Sequence, residues 1–388
     1  MPRSAPRLNP LVIGLRCLRC RTVFPVADYF EGCPACHSQK MPASLAVEYR
    51  EFPKSLERVA DWQVYPDHPT LGEGNTPLVP LEGLAKEIGV RALSLKNEGA
   101  NPTGSHKDRM SRFVVQRALE IGASTVAAAS SGNAGVSLAA YAAHVGLGCV
   151  IVTTPDMNPN WRRAIEMHGA TLLATETPER RWQVLADSVR AGDWYPATNF
   201  AVPAVGSNPF GVDGYRSLAF EIFLQLGSDA CTDIVVPTSR ADLLWGIARG
   251  YCDLQAAGLI EERPRVHAVE PFGRISEVLA GKDYRGNFAG SSALTSIGGS
   301  TVTYQALDAI AACKGSAVVV DDTMAREDQK RLARGGFYLE LSSAAALTGL
   351  RQLISQGSLG PDAAVVLVGT SSGCSEYQAF SHPIAPIL

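Results

Sequence analysis

The chain has 388 residues, of which 46% are hydrophobic, and carries a formal net charge of −3 with a pI near 6.2. Its length fits one large domain or two to three ordinary ones, and its hydrophobic content is ample for sizeable cores. The charge balance offers no basic excess for nucleic acid and no charge run for a membrane surface. Apolar runs such as residues 126–129 and 363–368 are only strand-length, so no span of a bilayer is expected. The first residues, Met1-Pro2-Arg3-Ser4-Ala5-Pro6-Arg7, lack the apolar core of a secretory signal, and the expectation is a cytoplasmic protein.

Residues 1–45 read as a unit of their own. Cys17-Leu18-Arg19-Cys20 and Cys33-Pro34-Ala35-Cys36 are two C-x2-C knuckles separated by twelve residues. Four thiolates so spaced suit a tetrahedral ion, and zinc is the usual occupant in a reducing cell. A full set of four protein ligands closes the site, so the expected role is structural. A segment this short cannot bury a core, and metal would supply its folding energy. The alternative is a vestigial ribbon that binds nothing. Arg16, Arg19 and Arg21 make a modest basic patch, but Asp28, Glu31 and Glu48 lie nearby, so the ribbon reads as a packing module rather than a reader of nucleic acid. The other five cysteines (Cys149, Cys231, Cys252, Cys313 and Cys374) are scattered and read as reduced thiols.

Residues 46–70 look like a connection, with Pro53, Pro66 and Pro69, and lead into the turn-rich stretch Leu71-Gly72-Glu73-Gly74-Asn75-Thr76-Pro77-Leu78. A strand is predicted over residues 91–96. It runs into Asn97-Glu98-Gly99-Ala100-Asn101-Pro102-Thr103-Gly104-Ser105-His106-Lys107-Asp108-Arg109. Pro102 and Gly104 mark a turn, and Ser105 is a plausible N-cap. Lys107 then falls in the first turn of a helix, where the macrodipole disfavours a cation. An amine that must be uncharged to attack a carbonyl and form a Schiff base fits that position. The competing reading is a loop lysine salt-bridged to Glu98 or Asp108.

From there the chain alternates. Helices are predicted over residues 106–120, 132–144, 160–168, 178–191, 213–226, 242–257, 324–334 and 342–356. Strands are predicted over 124–129, 148–153, 170–174, 233–238, 265–271, 316–321 and 363–370. This rhythm implies an α/β fold with parallel sheets covered on both faces. The Gly-rich residues 273–299 are the best candidate for a mobile loop. Ligands of such sheets sit beyond the carboxyl ends of strands. Three loops fall there: Ser130-Ser131-Gly132-Asn133-Ala134-Gly135, Pro237-Thr238-Ser239-Arg240-Ala241-Asp242 and Gly369-Thr370-Ser371-Ser372-Gly373. The first two open helices, whose N–H groups suit an anion.

Glu73 to Leu78, Asn101 to Arg109 and Ser130 to Gly135 together resemble the tryptophan synthase β-type (fold type II) pyridoxal-phosphate enzymes, and within them threonine synthases most of all. Asn208-Pro209-Phe210-Gly211-Val212-Asp213-Gly214-Tyr215-Arg216-Ser217 and Ser342-Ser343-Ala344-Ala345-Ala346 add to the match, which runs from about residue 46 to 374. Some threonine synthases and the related cysteate synthase also carry an N-terminal cysteine ribbon. The resemblance implies two doubly wound parallel-sheet domains, residues 46–117 with 206–388 and residues 118–205, with the cofactor in the cleft between them, and a homodimer.

It also implies residue roles. Lys107 forms the Schiff base and then shuttles protons, Asn133 contacts the cofactor's 3′-oxygen, and Thr370 hydrogen-bonds the pyridine nitrogen. Ser130, Ser131, Asn133 and Ala134 surround the substrate carboxylate, with Thr76 nearby. Thr238, Ser239, Arg240 and Ala241, with Asp242, occupy the phosphate loop. His106 stands where the family has Phe, either as a ring beside the cofactor or as an extra acid–base group. Two departures bear on the pocket. The phosphate loop has no glycine until Gly246, so Asp242 would repel a phosphate unless turned away, and Arg240 could compensate. Gly211 stands where threonine synthases usually have Arg, for which Arg162, Arg163 and Arg216 are available replacements. The implied activity is elimination or replacement on an amino acid, most simply the conversion of O-phosphohomoserine and water to threonine and phosphate. The alternatives are β-replacement on O-phosphoserine, a Ser/Thr dehydratase, or a non-catalytic homologue with an interaction role.

Overall fold

In a computed structural model, which describes residues 6–66 and 70–376, the chain folds around three sheets. Pro69 and residues 1–5 lie outside the described residues.

The first sheet is antiparallel and holds β1 (Val12–Cys17), β2 (Val23–Phe24) and β3 (Leu45–Tyr49) in the order β2-β1-β3. Pairing of β1 with β3 continues to Tyr49, past residue 45. The ribbon does not rely on a core of its own. Leu15, Leu45, Val47 and Tyr49 pack with Phe113 and Phe210 of the main body. It is tied there by Arg21–Asp308, Arg117–Asp28 and Arg190–Glu31, and by hydrogen bonds from Tyr284 to Pro42 O and Arg285 to Lys40 O.

The remaining strands are β4 (Leu78–Pro80), β5 (Ala92–Asn97), β6 (Thr125–Ala129), β7 (Gly148–Thr153), β8 (Thr171–Ala174), β9 (Tyr195–Pro196), β10 (Asp233–Pro237), β11 (Arg265–Glu270), β12 (Ala317–Val319) and β13 (Ala364–Gly369). Six of them form one sheet in the order β12-β11-β10-β13-β5-β4, parallel except for β4 at its edge. Four form a second, all-parallel sheet in the order β8-β7-β6-β9. Ile234, Val236, Val366 and Val368 of the larger sheet are almost fully buried, as are Val126, Ala128 and Ile151 of the smaller. Such continuous apolar runs are what strands covered on both faces require.

Two local differences from the sequence reading have a steric cause or a short signal. The helix expected over 213–226 is two helices, Pro209–Asp213 and Arg216–Leu226. Asn208 caps the first, accepting from the N–H groups of Phe210 and Gly211. At the junction Gly214 crosses the backbone of Arg109 so closely that a Cβ would lie 2.1 Å from its carbonyl oxygen. Residues 273–299 contain a short helix, Ile275–Leu279, whose first two amides donate to Glu270. The helix Tyr304–Cys313, which no strong periodicity announced, follows.

The helix Lys107–Glu120 is buried on nearly every side, including Asp108, Arg109 and Gln116. A buried guanidinium needs full pairing. Arg109 donates from Nε and Nη2 to Glu98 at 2.6 and 2.8 Å, and from Nη1 and Nη2 to Glu221 at 2.6 and 2.8 Å. Lys96 on β5 completes the cluster, donating to Glu221 at 2.7 Å, to Thr76 O at 2.7 Å and to Gln225 at 2.9 Å. The cluster pins this helix to β5 and to the helix Arg216–Leu226. Arg109→Met would leave two carboxylates facing one ammonium. It is expected to lower the unfolding free energy by about 3–5 kcal/mol, read from urea midpoints; a loss below about 1 kcal/mol would show that the cluster is not a structural clamp.

Candidate active site

The carboxyl ends of strands from both large sheets open onto one cleft. Its lining includes His106 and Lys107, Ser130 to Ala134, Thr238 to Asp242, Thr370 and Ser371. Three loops far apart in sequence are thus brought together. Thr76 is not brought there. Its hydroxyl donates to Glu98 at 2.6 Å inside the buried cluster, behind the cleft wall.

Lys107 is the first residue of its helix, and its N–H donates to the Ser105 hydroxyl at 3.3 Å. Neither acidic neighbour in the sequence reaches its amine. Glu98 is taken by Arg109, and Asp108 accepts from the Thr103 N–H at 2.7 Å. Among the described residues Lys107 Nζ has no carboxylate partner; it lies 3.5 Å from the Tyr215 hydroxyl and 5.7 Å from the centre of that ring. Burial lowers its pKa to about 8. Arg240 adds to the lowering, while Asp242 and Glu340 oppose it. Beside it His106 is held well below the usual imidazole range by burial and by Lys107. It is therefore a neutral ring at pH 7, with Nδ1 against Thr370 O at 3.0 Å. This fits a ring beside a ligand better than an acid–base group.

The loop after β10 achieves with side chains what glycines usually allow. Arg274, fully buried, donates to Ser239 O at 3.2 Å and to Thr238 O at 2.9 Å, and Thr303 donates to Arg240 O at 2.6 Å. Three consecutive carbonyls are therefore held, and the N–H groups of Ser239, Arg240, Ala241 and Asp242 donate to no described acceptor. Ala241 takes the left-handed conformation, with φ of 72°, that a glycine adopts without strain. Asp242 is turned away, accepting from Ser207 N at 3.1 Å and Ser207 Oγ at 2.7 Å. Arg240 has a buried Nε with no hydrogen-bond partner and lies over the Trp182 ring at 5.6 Å. Unpaired amides at the start of the helix Asp242–Ala256, beside an unpaired guanidinium, fit a phosphate group.

Across the cleft, Ser130 Oγ accepts from Gly132 N and Gly135 N, shaping the turn into the helix Asn133–Val145. Asn133 Nδ2 donates to Glu340 at 2.7 Å, and Ser131 Oγ accepts from Arg181 at 3.1 Å. Glu340 also accepts from Ser371 at 2.6 Å and from Ser296. The Thr370 hydroxyl, by contrast, is engaged by no described residue. None of Arg162, Arg163 and Arg216 lines the cleft. Arg162 pairs with Glu166, Arg163 is exposed, and Arg216 is locked between Asp213 and Asp253, so none replaces the missing arginine at Gly211. Sequence reasoning missed Tyr215, Glu340, Arg181, Trp182 and Arg274. Glu340 and Tyr215 adjoin or lie within recognised segments; the other three carry no local signal.

In the ribbon, the sulfurs of Cys17, Cys20, Cys33 and Cys36 all lie within 4.8 Å of one another, and the Arg19 N–H donates to Cys17 Sγ at 3.4 Å. His37 is not part of this group.

A family profile described as pyridoxal-phosphate dependent enzyme matches residues 69–371. The chain belongs to that family. Among curated relatives, the threonine synthase of Methanocaldococcus jannaschii is 33% identical over 320 residues, covering 80% of this chain and 77% of the relative. That of Methanosarcina acetivorans is 29% identical over 382 residues, covering 92% and 90%. Solved structures with the same fold include diaminopropionate ammonia lyase from Escherichia coli, with a TM-score of 0.66 at 18% identity over 78% of this chain and 85% of that one. O-ureido-L-serine synthase gives 0.63 at 22% identity over 78% and 90%. This member of the family is a threonine synthase-like lyase with a ribbon at its N-terminus. Among its described residues no helix is long and apolar enough to cross a membrane.

The lowered amine of Lys107 has a thermodynamic signature. Between its folded value near 8 and the ordinary 10.5, the unfolded chain binds more protons, so stability rises with pH across that window. Below pH 8 the full penalty applies. The cofactor-free Lys107→Met protein is therefore expected to be more stable than the wild type by about 2–3 kcal/mol at pH 7, with the gap closing toward pH 10.5. Denaturant titrations at pH 7, 9 and 10.5 check this; a gap that does not narrow would rule out the lowered amine.

Proposed function

We propose that this lyase acts on an amino acid bound with pyridoxal phosphate in the cleft, and that its reaction is that of a threonine synthase: O-phosphohomoserine and water give threonine and phosphate. The observation that carries the reading is Lys107, a half-buried amine with no described carboxylate partner, facing an anion site of unpaired amides and an unpaired guanidinium.

When bound, the cofactor supplies an electron sink for negative charge developing at the substrate Cα. The chain's own residues do the rest. Lys107 accepts the Cα proton and delivers protons later, which a pKa near 8 suits at neutral pH. The amides of Ser239, Arg240 and Ala241, with the Arg240 side chain, would hold the cofactor's phosphate. The Thr370 hydroxyl, engaged by no described residue, would hold the cofactor's pyridine nitrogen, and His106 would supply a neutral ring beside it. Asn133 takes the 3′-oxygen, and the loop Ser130 to Ala134 binds the substrate carboxylate. Phosphate leaves from the γ-carbon and water adds at the β-carbon. We further propose that the four ribbon cysteines hold a structural zinc ion, and that the enzyme is a cytoplasmic homodimer.

One observation favours a second reading, β-replacement on O-phosphoserine. A Cβ at Gly211 would stand 2.6 Å from Val114 Cγ2, so no arginine is accommodated where threonine synthases usually place one.

A substrate panel separates the two. O-phosphohomoserine is expected to yield phosphate and threonine in equal amounts. Phosphate without threonine, or turnover of O-phosphoserine alone, would transfer the assignment to the second reading. Lys107→Ala is expected to lose the borohydride-sensitive visible absorbance of the bound cofactor and several orders of magnitude of rate; a protein that kept the absorbance would sink the role given to Lys107. Metal analysis should find zinc bound to the wild-type chain and lost from a Cys17→Ser, Cys20→Ser variant. Equal zinc in both would sink the ribbon assignment.

A further inference from the structure

The chemistry of the cleft gives the ribbon no part, yet one ribbon segment reaches the supports of the loop after β10. Residues 42–44 follow the second cysteine knuckle, and both knuckles hold them. Cys33 N–H donates to Ala43 O at 2.9 Å, and Leu18 N–H donates to Ser44 O at 3.1 Å. The other side of this segment faces the body. Pro42 O accepts from the buried Tyr284 hydroxyl at 2.9 Å. Ser44, also buried, stands against Gly206: a Cβ there would lie 3.3 Å from Ser44 Oγ and would clash with Gln305 Oε1 on its other side. Val205 packs at Gly32 of the ribbon, where a Cβ would lie 3.0 Å from Val205 Cγ1.

These body residues adjoin two supports of the loop. Gly206 precedes Ser207, whose N–H and hydroxyl hold the Asp242 carboxylate off the cleft at 3.1 and 2.7 Å. Gln305 meets the Thr303 hydroxyl at 3.3 Å, and that hydroxyl donates to Arg240 O at 2.6 Å. Tyr284 meets Tyr304 edge-on, with ring centres 5.6 Å apart, and Tyr304 packs against the apolar cluster that contains Cys17, Cys33 and Cys36. The ribbon therefore backs both Ser207 and Thr303. Close-packed interiors transmit displacement because they compress little. A shift of residues 205–206 would take Ser207 from Asp242, and the freed carboxylate would repel an anion at the amides of residues 239–241.

We propose that residues 42–44 of the ribbon are positioning residues for the cofactor's phosphate: by bracing Ser207 and Thr303 they hold Asp242 away and keep those amides facing the cleft, and so set the preference for a phosphorylated cofactor. This rests on the reading that the cleft holds pyridoxal phosphate. It rests neither on which amino acid is turned over nor on a metal in the ribbon.

The test titrates the full-length, cofactor-free protein with pyridoxal phosphate and with pyridoxal, the same aldehyde without the phosphate. Dissociation constants are read from the absorbance of the bound form. Ser44→Val sets a bulkier side chain against Gly206. It is expected to weaken pyridoxal phosphate about fivefold to thirtyfold and pyridoxal by less than about twofold. Tyr284→Phe keeps the ring and removes the bond to Pro42 O; it is expected to act in the same direction by about threefold to tenfold. Arg16→Gln breaks a pair within the ribbon, with Glu48, and should leave both constants within about twofold. Equal weakening of both aldehydes would overturn the proposal, because the ribbon would then serve only the fold. Should Ser44→Val not fold, Tyr284→Phe decides by the same comparison. A wild type that prefers pyridoxal phosphate, with variants that keep the full preference, would refute the brace and leave the phosphate site standing. A wild type that binds neither aldehyde, or both equally, would refute the phosphate site and the brace with it.

Discussion

The position of Lys107 depends on a charge cluster to which it does not belong. Arg109, two residues along the same helix, is held by Glu98 and Glu221, while Lys96 shares Glu221. Because Arg109 consumes Glu98, the nearest acid upstream cannot neutralise Lys107. The cluster therefore fixes the helix against β5 and, by the same bonds, leaves the Lys107 amine without a carboxylate among the described residues. Unpaired with either acid and partly desolvated at the floor of the cleft, that amine keeps its low pKa. A buried ion cluster is weak evidence for extra stability; here it supplies register and engages Glu98, the nearest acid upstream of Lys107.

The loop after β10 shows how a glycine-poor sequence can still present its amides. What matters is which way the peptide groups face, and here the carbonyls of residues 238, 239 and 240 are captured from behind by Arg274 and Thr303. Ala241 accepts the left-handed turn, and Ser207 holds the Asp242 carboxylate off the cleft. The cost is concentrated in one strained alanine and one buried arginine, and the gain is a side chain, Arg240, that a glycine would not provide.

Much of the fold was legible because its signals are local. The helix beginning at Lys107, the strands of both parallel sheets and the four-cysteine cluster all follow from periodicity or spacing, and the three strand-end loops follow from the topology that alternation implies. What was not legible is pairing over long distances. Nothing near Thr76 says that its hydroxyl will be spent on Glu98 inside a buried cluster rather than on a ligand. Nothing near Arg274 says that it will hold a loop thirty-odd residues upstream. Arg181 sits in a helix whose pattern is that of an ordinary surface helix; only the folded chain shows it facing Ser131. The split at Gly214 was hidden because the crossing backbone belongs to Arg109, over a hundred residues away.

The ribbon's docking has a consequence for the order in which the molecule is assembled. Residues 12–49 leave the ribosome before the surface they dock on, for their apolar face finds its cover in Phe113 and Phe210, and the partner of Arg21 is 287 residues further on. During synthesis the ribbon must wait with Leu15, Leu45 and Val47 uncovered until the body exists, an interval in which unpaired strands are prone to misassociate. The cysteine knuckles can close before any of those partners is made. With the metal proposed for them, their contribution would be to timing: they would keep the ribbon in shape until the surface it docks on has folded.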